Sequence, residues 1–155
     1  MKSIQPTLDW LYDPRVFAVN RLDAFSDHAV YASAAEADLG KTSLEKSLDG
    51  EWKLHYAPDL GGMIHGFEAP DYDVSGWADV KVPGCLELSG YGAPHYVNIQ
   101  YPWDGLKPIA PPEVPSPNPV EEYATDFDLP AGFDGKRVTL GFDGAVTAIY
   151  VWVNG

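Results

Sequence analysis

The chain has 155 residues, 45% hydrophobic and 13% aromatic, which excludes a disordered tail and gives enough apolar surface for one packed domain. Ten basic against twenty-three acidic residues leave a net charge of −13, a surface that repels phosphate backbones and anionic headgroups, so neither nucleic acid nor membrane is an expected partner. A single cysteine rules out an intrachain disulfide. With no apolar run long enough for a signal peptide or a membrane span, the expected compartment is the reducing cytoplasm.

Residues 1–47 read as an extended N-terminal arm. Its first thirty residues lack periodicity and carry the aromatic anchors Trp10, Tyr12 and Phe17 around Asp13-Pro14. Residues 33–47 hold helix formers interrupted by Gly40, which allows at most one short helix. From residue 48 the pattern changes to strands. In "GEWKLHYA" Trp52, Leu54 and Tyr56 alternate with Lys53 and His55, the period of two of a half-buried strand. "WADVKVPG" repeats this with Val80 and Val82 and leads to Cys85, expected as a small buried side chain.

"HYVNIQYPW" continues the strands, followed by a loop with seven prolines over residues 102–119, which cannot pair in a central strand. Strands are expected again in "EYATDFDLP", "RVTLGFDG" and "TAIYVWVN". Asn154-Gly155 is a type I′ hairpin signal, because both residues of that turn need φ > 0. About six strands with almost no helix predict an all-β sandwich of jelly-roll type, incomplete at its C-terminus.

Chemistry is sparse. His28, His55, His65 and His95 are scattered without metal-binding spacing, and Gly-x-Ser-x-Gly is absent. A retaining glycosidase needs two carboxylates about 5–5.5 Å apart. Glu121 and Glu122 are neighbours and point to opposite faces of a strand, while Asp126 and Asp128 alternate with Phe127 and Leu129 as a solvent face. No catalytic pair is expected. "SGYGAPHYVNIQYPW" instead gathers Tyr91, His95, Tyr96, Asn98, Gln100, Tyr101 and Trp103, rings and amides suited either to stacking on a sugar or to anchoring a loop.

"GYGAPHYVNIQYP" resembles the signature of the N-terminal sugar-binding domain of family 2 glycoside hydrolases, in particular the large bacterial β-galactosidases. "LDWLYDPRVFAVNRL", "SLDGEWKLHYAP", "VKVPGCLELSGYG", "NPVEEYATDFDLP" and "GFDGAVTAIYVWVNG" resemble further stretches of those enzymes in the same order, covering about residues 9–155. The chain departs from the family at Glu121, where Gly is usual, at Ala124, where Arg is common, and near Cys85-Leu86, where the family has Trp.

The resemblance implies a galactose-binding-like jelly-roll at the front of a retaining β-galactosidase that hydrolyses terminal β-galactosides such as lactose. The catalytic glutamates would lie in a barrel outside this chain, which alone would be inactive. It implies that Asn98, with Ile99 beside it, orients the sugar. It also implies ligands for a structural Mg²⁺ from Asp13, Val16 (by its carbonyl) and Asp9. Expected partners are a galactoside, the remainder of the β-galactosidase chain and, in a homo-oligomer, further copies. The alternative is a free-standing carbohydrate-binding module.

Overall fold

The computed structural model describes residues 5–24, 28–94, 103, 108–110 and 112–155. Among these described residues the regular elements are one helix, α1 (Ala34–Leu39), and three strands, β1 (Gly50–Ala57), β2 (Ala78–Val82) and β3 (Val120–Ala124). Four short 3₁₀ turns, at Leu8–Tyr12, Leu60–Gly62, Glu87–Ser89 and Ala131–Phe133, complete them.

The strands form one antiparallel sheet in the order β2-β1-β3, with the longest strand in the centre. Trp52 lies opposite Val80 across β1–β2, and Leu54 opposite Tyr123 across β1–β3. The period of two therefore sorts side chains as the sequence predicts. One face buries Leu54 (2% exposed), Val80 and Leu86, with Trp52, Tyr56, Val82, Tyr91 and Tyr123 packed around them. The Trp52 indole donates to the Leu48 carbonyl at 2.8 Å, so its polar atom is satisfied where its ring is half covered.

The other face carries Lys53, paired with Asp79 at 2.6 Å, and His55, opposite Glu122. It is not a bare solvent face. The loop between β1 and β2 folds over it and brings Phe67, Tyr72 and Trp77 into ring contact, with Trp77 5.7 Å from His55.

The short helix is capped at both ends. Ser33 Oγ accepts the Glu36 N–H, and Glu36 Oε2 reaches back to the Ala32 N–H at 2.9 Å, in the manner of a capping box. Gly40, at φ 61, ends the helix: its N–H donates to Ala37 and that of Lys41 to Glu36. The glycine expected to interrupt the helix formers is the residue that stops them.

Several expectations are corrected. The N-terminal arm is not wholly extended, since Leu8–Tyr12 coil into a 3₁₀ turn held by Trp10 N–H to Thr7 O and Asp13 N–H to Trp10 O. Of its three aromatic anchors, Trp10 finds a ring partner, while Tyr12 and Phe17 stay exposed. Cys85 is exposed, because the chain leaves the sheet at Val82 and turns the thiol outward, where it donates to Glu87 Oε2.

The strand expected over residues 122–130 ends at Ala124, and Phe127 and Leu129 are exposed beside Asp126 and Asp128. The stretches 137–144 and 147–154 join no strand ladder. Alternation records a preference for burial; a strand also needs a neighbour to take its backbone groups, and these stretches have none among the described residues. The strand expected over 95–103 falls almost wholly outside the described residues. A small antiparallel sheet with little helix is consistent with a sugar-binding β-sandwich.

Candidate site at the sheet and its loops

The sugar-contact candidates Asn98 and Ile99 lie outside the described residues, as do His95, Tyr96, Gln100 and Tyr101. Tyr91 and Trp103, which flank these residues in the sequence, are described, and both are anchored. On the N-terminal side, the Tyr91 N–H donates to the carbonyl of buried Leu86 at 3.0 Å, and the Tyr91 ring packs 5.7 Å from that of Tyr56 on β1. Gly90 and Gly92 adopt φ 92 and 66 on either side of it. At Gly92 a Cβ would also meet the Tyr56 hydroxyl at 3.0 Å, so close approach and backbone conformation both require glycine.

On the C-terminal side, the Trp103 indole donates to the Pro117 carbonyl at 2.7 Å. Ser116 in turn donates to the Asp59 carboxylate, which ties the proline-rich loop to the end of β1. Of the aromatics singled out in the sequence, Tyr91 and Trp103 thus serve as loop anchors.

The sheet holds a second polar constellation that sequence reading missed. Glu122 is 3% exposed. Its Oε2 lies 2.5 Å from His55 Nδ1, and its two oxygens take the Ile64 N–H at 3.0 and 3.2 Å. An ionised carboxylate only accepts, so the imidazole donates from Nδ1. Glu122 thereby binds β1 to β3 and both to the loop that covers them. Cross-strand pairing of His55 with Glu122 is the signal that could have revealed it, and that register is not readable before the strands are paired.

Its neighbour Glu121 faces the opposite side, as the alternation requires. There partial burial pushes its pKa up, opposed by the Tyr123 hydroxyl that donates to it at 3.1 Å, and the nearby Glu87 charge adds to the upward push. Burial also raises the Tyr123 phenol, helped by Glu121. The two glutamates do not form a carboxylate pair.

In the N-terminal arm, Arg15 grips Asp13 with three hydrogen bonds: its backbone N–H at 3.0 Å and Nε at 2.8 Å to Oδ1, and Nη2 at 2.7 Å to Oδ2. The guanidinium holds the Asp13 carboxyl below its ordinary pKa. The Val16 N–H donates to the Asp13 carbonyl at 2.9 Å, which places Val16 beside Asp13. As arranged, these residues do not fit a divalent ion. Both Asp13 oxygens are engaged, and among the described residues no three His, Cys, Asp or Glu side chains converge.

The arm itself is seated by an aromatic ladder. Trp10 stacks on Tyr150 with centroids 6.1 Å apart, and Tyr150 stacks on Trp152 at the same spacing. Trp152 meets Phe67 edge-on at 5.8 Å, and Phe67 meets Trp77 at 5.5 Å. The ladder runs from the arm to His55 and Glu122, and the Tyr150 hydroxyl donates to the Thr7 carbonyl at 3.3 Å. A shallow depression lined by Gly50, Glu51, Asp79, Val80 and Lys81 has no ring on its walls and so no stacking surface for a sugar.

Residues 45–155 match the model of the glycosyl hydrolases family 2 sugar binding domain. The chain belongs to this family. The β-galactosidase of Lactobacillus delbrueckii subsp. bulgaricus is 52% identical over 151 residues, 97% of this chain and 15% of that enzyme. The β-galactosidase of Streptococcus thermophilus is 42% identical over 156 residues, 100% of this chain and 15% of its own length. The β-galactosidase large subunit of Leuconostoc lactis is 38% identical over 165 residues, 98% of this chain and 26% of that subunit. This family 2 chain therefore spans between about a seventh and a quarter of the length of these relatives. No helix among its described residues is long and apolar enough to cross a membrane.

Proposed function

We propose that this chain is the N-terminal sugar-binding portion of a cytoplasmic family 2 β-galactosidase acting on terminal β-galactosides such as lactose with retention of configuration. Identity of 52% over 97% of the chain with the L. delbrueckii β-galactosidase carries the reading. Residues 1–47 are its arm and 48–155 its jelly-roll unit. Its share of the work is positioning. Asn98, whose amide offers both a donor and an acceptor to neighbouring hydroxyls, orients the galactoside with Ile99 beside it. The anchored residues Tyr91 and Trp103 on either side of Asn98 in the sequence support this role, because holding the chain at flanking points lowers the entropy lost when it meets a sugar. Glu121 and Glu122 lie on opposite faces and do not form a carboxylate pair with each other, and the free chain is expected to be inactive. A Mg²⁺ on Asp13, Val16 and Asp9 requires Arg15, whose side chain is 88% exposed, to release Asp13.

The test is a chimera in which this chain replaces the matching region of the L. delbrueckii enzyme. It should hydrolyse a chromogenic β-galactoside, whereas the free chain should not. Asn98→Ala in the chimera should raise KM by about tenfold with an unchanged melting temperature, the size of one lost sugar hydrogen-bonding group. An inactive but folded chimera, or an unaffected KM, counts against the reading.

A further inference from the structure

The loop over residues 58–77 covers one face of the sheet without joining its ladders. Among the described residues its backbone–backbone hydrogen bonds all close inside the loop, from Gly62 N–H on the Asp59 carbonyl to Trp77 N–H on that of Val74. It is fastened by the Ile64 N–H on the Glu122 carboxylate, by the Ser116 hydroxyl on Asp59 and by the Trp77 ring against His55. The N-terminal arm has the same character. Its bonds from Trp10 to Thr7, from Asp13 to Trp10 and from Val16 to Asp13 are all local. Residues 149–153 lie between arm and loop, and among the described residues they make no backbone–backbone hydrogen bond. Rings hold them instead. Tyr150 stacks on Trp10 of the arm and on Trp152, and Trp152 meets Phe67 of the loop. Gly155 touches the loop again, since a Cβ there would lie 3.1 Å from Pro70 Cδ.

We infer that arm and covering loop form one coupled device: Trp10 seated on Tyr150 favours the closed loop, and the closed loop favours the seated arm. The physical reason is shared ordering. A segment outside the strand ladders stays ordered while its side-chain contacts offset the freedom it loses. Residues 149–153 touch both neighbours through rings, so once one neighbour has fixed Tyr150 and Trp152, the other meets rings already in place. Removing Trp10 uncovers Tyr150, loosens Trp152 behind it and weakens the Phe67 contact of the loop. The far end of the ladder is the Ile64 N–H on Glu122, where loop opening becomes measurable. Coupling is reciprocal, so a partner that draws Trp10 away from Tyr150 shifts the loop toward its open form. One ring pair is a weak interaction, which sets the coupling at about fivefold to tenfold. The device concerns contacts within this chain and does not depend on the function proposed above.

Hydrogen exchange of the 155-residue chain at the Ile64 amide tests this, with the amides of β1 as the reference for an intact sheet. Trp10→Ala should speed exchange at Ile64 about fivefold to tenfold and leave β1 unchanged. Reciprocally, Phe67→Leu should speed proteolytic cleavage within residues 5–17 by a similar factor. In the Phe67→Leu background Trp10→Ala should no longer change Ile64 exchange, because the ladder is already broken. Unchanged Ile64 exchange in Trp10→Ala, with β1 protected, overturns the inference. An undiminished effect of Trp10→Ala in the Phe67→Leu background overturns it as well, since the coupling then bypasses the ladder. Loss of β1 protection in both single variants also overturns it, because loop and sheet then open as one unit. Where Trp10→Ala alone loses β1, arm cleavage in Phe67→Leu decides: faster cleavage supports the coupling and unchanged cleavage overturns it.

Discussion

Two adjacent glutamates show how far one residue's position decides its energetics. Glu122 is buried and takes hydrogen bonds from His55 and Ile64, so losing it strands an imidazole and a backbone N–H in the covered face of the sheet. Glu122→Ala should cost about 3 kcal/mol in urea unfolding, with Glu122→Gln intermediate because the amide still accepts. Glu121 has the opposite sign. Its pKa is raised in the folded state, so its contribution to stability is present below the unfolded carboxylate value and is lost as pH rises through the folded one. Glu121→Gln should therefore raise the unfolding free energy at pH 7, by less than about 1 kcal/mol after solvent screening, and the gain should vanish near pH 3. Equal gains at both pH values would rule out this linkage.

Among the elements, β1 and α1 were legible in advance and the seating of the arm was not. The alternation of Trp52, Leu54 and Tyr56 and the Ser33/Gly40 boundaries are local patterns, and local physics suffices to read them. The arm's position depends on Trp10 meeting Tyr150, a contact across 140 residues of sequence that no local window contains. Trp10→Ala should lose about 0.5–1.5 kcal/mol of ring–ring interaction beyond its buried area. It should also make the 5–17 region cleavable by protease while the near-ultraviolet signature of Trp52 and Trp77 persists. If residues 5–17 stay protected, the stack is not what holds the arm.

For the whole molecule, a net charge of −13 on 155 residues means like charges are crowded together on folding. Raising NaCl from about 10 to 150 mM shortens the screening length from about 30 to 8 Å and should raise the melting temperature of the free chain. A flat or falling melting temperature would place the repulsion in the unfolded chain as much as in the folded one.

By itself the sequence determined the charge, the absence of a disulfide, the central strand, the short helix and the positive φ of Asn154 and Gly155, observed at 59 and 91. Each depends on composition or on neighbours a few residues apart. The resemblance to family 2 was also readable from motif order alone, and the matched residues 45–155 bear it out. Tertiary structure decided the rest. It showed that Cys85 faces solvent, that 137–154 lacks a strand neighbour among the described residues, and that Arg15 occupies Asp13. It also brought half-buried His55 and buried Glu122, 67 residues apart, into contact. Alternation states which side of a strand prefers burial; only pairing between distant segments decides what covers that side and which charges meet beneath the cover.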